Sequence, residues 1–415
     1  MGNPRFHYAW VILVVATCVV FGALGLARFG YTMLLPPMKE GLGLNDAGAG
    51  SLATANLIGY LIMSLLGGAL AARYGPRVVI AAGLALVAAA MFMTGLAQSF
   101  AAATVWRLVT GLGSGASNVP VMGLLAAWFS RSRRGLATGI AVTGSSFALI
   151  LCGPLVPWVL TRRGAEGWRT CWFLFGGAAA ALAVVAWLGL RNRPSSLGLQ
   201  PLGQEGEETP PGPAAGSLPW ASVYRSRLIW HVGLVYVAFG FSYIIYLTFF
   251  TRYLITEGGY THASAGRLFM LMGWLSLLCG LIWGTVSDVI GRKATLVVVY
   301  LVHALSFSLF ALWKTPAGFT LSAVLFGISA WSIPAIMAAL CGDLLGPRLS
   351  PAGLGFVTLF FGIGQAAAPA AAGALAVTYG SLSPAMLLAA GVALSGAVGA
   401  LALHRPGPRP QAAAC

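Results

Sequence analysis

Gly68-Ala-Leu-Ala-Ala72-Arg-Tyr-Gly75-Pro76-Arg77 returns 216 residues later as Gly284-Thr-Val-Ser-Asp288-Val-Ile-Gly291-Arg292-Lys293. Each copy joins two long apolar runs, and each places a glycine before a basic turn. Working outward at an offset of 218, Gly22, Gly48, Gly135 and Gly144 fall on Gly240, Gly266, Gly353 and Gly362. The chain therefore reads as two parallel copies of one unit, an arrangement that places a shared site at the interface of the copies, near the bilayer midplane. Of 415 residues, 58% are hydrophobic and only 8% charged, with a mean hydropathy of +0.85. Soluble domains carry about 25% charged residues, so the chain is read as a membrane protein of many spans.

Apolar windows bounded by turn and charge clusters predict twelve spans. Six lie near 9–37, 48–72, 78–98, 101–129, 136–161 and 168–190, and six near 227–253, 264–287, 294–313, 317–342, 352–378 and 383–403. The division is a six-helix bundle over 1–190, a linker over 191–226 and a second six-helix bundle over 227–415. The linker holds Pro194, Pro201, Pro210, Pro211, Pro213 and the acids Glu205, Glu207 and Glu208, a composition that predicts a mobile cytoplasmic segment. With the N-terminus inside, fifteen Lys/Arg fall on inner segments, seven on outer ones, and Arg28 and Arg107 within spans. That bias predicts both termini in the cytoplasm.

Several function classes are excluded. The net charge of +15 comes from arginines in short inter-span loops, not from a basic stripe with interleaved aromatics, so no nucleic-acid partner is expected. Cys18, Cys152, Cys171, Cys279, Cys341 and Cys415 lack metal spacing and read as small apolar residues, with no metal and no cofactor. The first apolar run is too long for a cleavable signal. Gly111-Leu-Gly113-Ser-Gly115 lies inside a span with no preceding strand, which removes a nucleotide-binding reading. Clustered His/Asp or Ser/His pairs within spans are missing, so the protein is not expected to be an enzyme.

The loop repeat resembles the signature of the major facilitator superfamily, G-x-L-A-D-x-x-G-R followed by Arg or Lys. The second copy carries Gly284, Asp288, Gly291, Arg292 and Lys293; the first departs, with Ala72 for Asp and Pro76 for Arg. Arg107, Gly111 and Gly113 match a second motif, R-x-x-x-G-x-G, and Gly153-Pro154 a third. The A-R-F-x-Y-T-x-x-L-P stretch from Ala27 to Pro36 and Phe239-Gly240-Phe241-Ser242-Tyr243-Ile244-Ile245-Tyr246 are similar to the YbfB/YjiJ-like branch. The general pattern is also similar to bacterial monocarboxylate and oxalate/formate carriers. The resemblance implies an all-α fold of twelve transmembrane helices in a bacterial cytoplasmic (inner) membrane. It also implies transport by alternating access, a cavity lined by spans one, four, seven and ten, and a monomer.

Arg28 is the residue that asks for a function. An arginine near the centre of a span costs at least about 3 kcal/mol on insertion scales. Gly25, Arg28, Tyr31 and Thr32 share one helical face, and the 218 offset sets Tyr246 opposite Arg28, with Tyr243 one turn earlier. Asn118 shares a stripe with Arg107, Gly111 and Ser114 on span four; Trp331 lies on span ten; Asn56, Trp274 and Gln365 are further polar or aromatic candidates. A cavity with cations, tyrosines and no carboxylate suits an organic anion, since Arg presents a planar fork to a carboxylate. The expected substrate-binding set is Arg28, Tyr31, Asn118, Tyr243, Tyr246 and Trp331. For Arg28, helix-holding and gating stay open as alternatives. Arg107, Asp288 and Arg292 are expected to serve gating or coupling, with Asp288 in an interhelix clamp. His303 reads as a packing residue. The expected activity is secondary transport of a small organic anion, with a monocarboxylate as its class. A proton carried with the substrate and plain exchange both stay open. The rival is a proton-coupled exporter of drugs or other hydrophobic and cationic compounds, which needs an acid in the cavity.

Overall fold

The computed structural model describes residues 7–130, 133–204 and 220–403; Pro210, Pro211, Pro213 and the linker acids Glu205, Glu207 and Glu208 lie outside them. The helices are α1 Ala9–Gly41, α2 Asp46–Tyr74, α3 Pro76–Leu96, α4 Phe100–Trp128, α5 Arg134–Arg163 and α6 Gly167–Gly189 in the first half. The second half has α7 Arg227–Thr256, α8 in two pieces, His262–Ser276 and Cys279–Ile290, α9 Arg292–Leu312, α10 Pro316–Leu345, α11 Ala352–Tyr379 and α12 Ser383–Leu401. These are the twelve spans read from hydropathy.

The repeated loops share one backbone. Gly75 ends α2 at φ 87°, ψ 140°, and Gly291 ends α8 at φ 89°, ψ 153°. Only glycine enters that region without strain, which is why it stands at this place in both copies. Pro76 then opens α3 at a position where a missing N–H costs nothing. The departure of the first copy from the family pattern is thus compatible with its geometry.

Two helices are interrupted at facing places. In α8, Leu277 and Leu278 turn on bonds to Trp274 and Leu275, three residues back. In α10 the break lies between Gly327 and Ser332. The freed groups find partners across the gap: Trp283 Nε1 donates to the Ile328 carbonyl at 2.8 Å, and the Trp331 N–H to Cys279 Sγ at 3.3 Å. Buried irregular backbone needs such pairing. Hydropathy sees neither interruption, because the isolated serines there (Ser276, Ser329, Ser332) sit among apolar residues. Between α10 and α11 the backbone stays helical, where an open loop is expected from the polar residues.

The linker's first part is not free. Ser130 N–H donates to the Leu202 carbonyl and Leu202 N–H to the Trp128 carbonyl, at 3.0 and 2.9 Å, and His7 Nε2 meets the Gln200 carbonyl at 3.1 Å. Gln200 and Leu202 of the linker are thus bonded to the first half, where composition predicts a mobile segment. Composition could not register a backbone pairing with the end of α4.

The halves meet where α2 lies against α11 and α5 against α8, with α1 touching α7. Gly153 and Gly266 face each other across α5 and α8, close enough that a methyl on either would overlap the other's carbonyl. Small residues permit this approach where no hydrophobic gradient drives helices together.

At the end of the bundle away from the linker, Glu257 ties three connections. It accepts from Lys314 Nζ at 2.6 Å, Ser383 Oγ at 2.8 Å, Ser381 Oγ at 2.9 Å and the Leu382 N–H at 2.5 Å, the last beside the start of α12. Burial alone would raise this carboxyl; Lys314, Ser383, Leu382 and Ser381 outweigh it and hold it below its ordinary 4.5. A depressed carboxyl contributes stability that is present above its ordinary value and lost as pH falls through its folded value. Glu257→Gln is therefore expected to lower the thermal midpoint at pH 7, with the gap to wild type closing once the pH drops below 4.5. Unfolding scans of both proteins between pH 7 and 3.5 check this; a gap independent of pH would contradict it.

Candidate functional site

Within α1, Phe21–Phe29 winds as a π-helix, and the Gly30 N–H reaches back five residues to the Gly25 carbonyl. Such wide turns are rare and frequently sit at functional sites. Arg28 lies in this stretch, 8% exposed, with its guanidinium 4.3 Å from the centroid of the Tyr60 ring. Its Nε and Nη2 have no protein partner, and the Tyr243 hydroxyl of the opposite half lies beside it. Stacking on a desolvated ring is worth about 2 kcal/mol. That is less than the burial of a cation costs, so packing alone does not account for the residue.

A second buried cation stands next to it. Arg107, 1% exposed, donates from Nη1 to the Ala27 carbonyl at 2.7 Å, and its guanidinium lies 4.7 Å from the Tyr31 ring and 5.2 Å from Trp172. Its Nε has no partner. Arg28 and Arg107 line one void of about 10 Å³ together with Tyr31, Thr32, Asn56, Ile244, Leu247 and Thr248. That is room for one water-sized group; a whole organic molecule must extend beyond it. Among the described residues, no acid lines this void.

The sequence-derived candidates divide. Tyr243 is at the seam, its hydroxyl accepting from Gln365 Nε2. Asn118 Nδ2 donates to the Tyr60 hydroxyl at 2.9 Å, leaving Asn118 Oδ1 without a partner. Trp331 bridges the halves, its ring against Phe29 at 5.3 Å and its Nε1 donating to Ser146 Oγ at 3.1 Å. Tyr31 contributes its ring, since its hydroxyl is spent on the Ala49 carbonyl at 2.8 Å.

Tyr246 is a correction. It is fully buried inside the C-terminal half, bonded to Ser322 Oγ at 2.8 Å and packed among Phe250, Phe307, Phe310 and Phe326. The reason is the π-helical stretch. Helix α7 has no such stretch, and each residue absorbed by a wide turn rotates the following face by about 100°. The offset of 218 aligns positions in the chain, not faces, and the seam is met by Tyr243. Trp274, at 55% exposed, also lies away from the site. Tyr60 was missed, although it stands one turn after Asn56 on the same face.

Of the residues expected to serve gating or coupling, Asp288 and Arg292 form a clamp between α8, α9 and α10, while Arg107 lies elsewhere. Arg107 is held inside the N-terminal half. Arg292 pairs with Asp288 at 2.5 Å and Asp343 at 3.1 Å, and donates to Ser287 Oγ at 2.7 Å, all within the C-terminal half. Besides the midplane bond from Trp331 to Ser146, further bonds join the halves at the opposite end. Asp46 accepts from Lys39 at 2.7 Å and from Arg252 at 3.2 Å, and the Ala370 N–H donates to Thr54 Oγ1 at 3.2 Å. That end is sealed. At the linker end, a methyl added at Gly68 or Gly284 would meet nothing within 4 Å. A larger hollow of about 730 Å³ lies there between α7, the end of α8, α9, α10 and α12, but none of the described residues lining it carries an unpartnered buried polar atom.

Comparison with known proteins agrees with this architecture. The chain is 25% identical over 283 residues to the probable sulfoacetate transporter of Cupriavidus necator, a match covering 66% of this chain and 63% of that protein. It is 22% identical over 395 residues to the hexuronate transporter of Bacillus subtilis, covering 92% and 91%. To the phosphoglycerate transporter protein of Salmonella typhimurium it is 25% identical over 311 residues, covering 70% and 66%. A bacterial homolog of the human lysosomal transporter Spinster superposes with a TM-score of 0.75 at 16% identity, covering 96% of each chain. A D-xylose-proton symporter does so with a TM-score of 0.72 at 14% identity, covering 96% of this chain and 98% of that one. The family model of the Major Facilitator Superfamily matches residues 17–316 and 253–414. Twelve spans in two repeated halves and this match over most of the chain make the protein a member of the Major Facilitator Superfamily.

Proposed function

We propose that the protein is a secondary carrier that moves a small organic anion, a monocarboxylate in the first instance, across the bacterial cytoplasmic membrane by alternating access. The observation that carries this is Arg28: a buried cation at the seam of the halves, with two unpartnered N–H donors and no acid in the void it lines. A carboxylate satisfies both donors with one fork-shaped contact. The relatives' names support the anion class, since sulfoacetate, hexuronate and phosphoglycerate are all anions. The rival exporter of cationic compounds needs a buried acid, and the lining supplies none.

Neutralising Arg28 would also favour movement. A bound carboxylate on Arg28 of the first half lies next to Tyr243 and Gln365 of the second, so it draws the halves together at midplane. The seal at Asp46 then opens as the linker end closes. The positive bias of the linker-side loops puts that end in the cytoplasm. Uptake of labelled acetate, lactate and propionate into proteoliposomes of the purified protein tests the proposal. Saturable uptake competed by other carboxylates is expected. Uptake of organic cations with none of carboxylates would overturn it.

A further inference from the structure

Asn56 on α2 is 1% exposed and lines the same void as Arg28 and Arg107. Its Nδ2 donates to the Arg107 carbonyl at 3.1 Å. A carbonyl only accepts, so this bond fixes which end of the amide is nitrogen. The other end, Oδ1, is a buried acceptor with no protein partner. Its main chain is pinned as well, because Gly111 of α4 sits directly against the Asn56 carbonyl.

The void is thus bordered by two kinds of unsatisfied group. Arg28 Nε, Arg28 Nη2 and Arg107 Nε offer hydrogens, and Asn56 Oδ1 asks for one. A simple carboxylate answers the first kind and not the second, since it brings only further acceptors. A ligand that answers both carries an anionic oxygen and an O–H group close together. We propose that Asn56 selects hydroxy-carboxylates, with the carboxylate on the open Arg28 donors and the hydroxyl on the neighbouring carbon donating to Asn56 Oδ1. This rests on the anion reading above and narrows it to a substrate class.

The sign of the effect is informative. In a void lined by Ile244, Leu247 and Phe29, hydrophobic transfer alone favours the acid without the hydroxyl. A preference for the hydroxy acid therefore reports a hydrogen bond. A site built to pair a substrate hydroxyl rejects the analogue lacking it far more strongly than an apolar pocket separates two homologues.

The test is equilibrium binding to the purified full-length protein with matched pairs, glycolate against acetate and lactate against propionate, and with methoxyacetate, which keeps the oxygen but cannot donate. The hydroxy member of each pair is expected to bind at least about tenfold more tightly, with methoxyacetate grouped with the weaker acids. In Asn56→Ala the ratio is expected to fall to about one. Equal binding of both members by wild type overturns the role of Asn56 and leaves the anion site standing. Binding of no carboxylate at all overturns both. An undiminished ratio in Asn56→Ala assigns the preference to another group and overturns the proposal. The wild-type ratios stand as a test even where the variant does not fold.

Discussion

Arg28→Ala is expected to lower carboxylate affinity by about 100-fold or more while leaving the thermal midpoint of the ligand-free protein unchanged or higher. Truncating one partner of a buried, charge-assisted contact costs about 2–5 kcal/mol, and the affinity loss follows from that. The stability half has the opposite sign because Arg28 stands buried with Nε and Nη2 unpartnered. Its removal relieves a desolvation cost and forfeits the stack on Tyr60 and the contact with the Tyr243 hydroxyl. Functional sites commonly hold such strain at the expense of stability. Arg28→Lys keeps the charge and loses the planar fork, so an intermediate loss of about tenfold is expected. Ligand binding and unfolding scans on the three proteins separate the roles. A residue that only holds helices together would lower the midpoint when removed; a binding residue would not. A gate residue would change transport rate with affinity retained.

The second large effect is expected at Gly111. Its Cα faces the Asn56 carbonyl across the α2–α4 contact, and a methyl there would overlap that backbone oxygen. Backbone cannot swing aside as a side chain does, so the two helices must separate. Overpacking of this kind costs about 1–3 kcal/mol and occasionally more; Gly111→Ala belongs at the upper end. Gly123 on the same helix has open space around it, and Gly123→Ala is expected to be neutral. Thermal unfolding of the pair checks the contrast, and equal midpoints would contradict it. Gly111→Ala should also weaken anion binding, because parting α2 from α4 stretches the bond between Asn56 and the Arg107 carbonyl. The R-x-x-x-G-x-G spacing has a physical reading here. It sets Arg107 and Gly111 one turn apart on the face of α4 that meets α1 and α2, one filling the space between helices and the other removing it.

Legibility in the sequence varied with the kind of fact. Spans were legible because hydropathy acts locally, over about the thickness of the bilayer. The repeat was legible because Gly75 and Gly291 occupy a backbone region that only glycine enters without strain. Arg28 stood out because one cation in an apolar run is costly whatever surrounds it. Tyr246 was misplaced and Tyr60 missed for a shared reason. Which way a side chain faces depends on rotation about the helix axis, and the π-helical stretch in α1 changes that rotation without a clear mark in composition. The facing interruptions in α8 and α10 escaped notice because part of their pairing runs between two helices far apart in the chain.

By itself, then, the sequence determined the membrane setting, the two-part architecture and the identity of the residue least at ease in it. Those follow from transfer free energies and backbone sterics, which belong to single residues and short windows. Tertiary structure decided which groups meet Arg28, that Arg107 donates to the Ala27 carbonyl, and that Asn56 is left with an unanswered acceptor. Those depend on helix rotation and on packing between segments far apart in the chain, and a linear pattern carries little of that information.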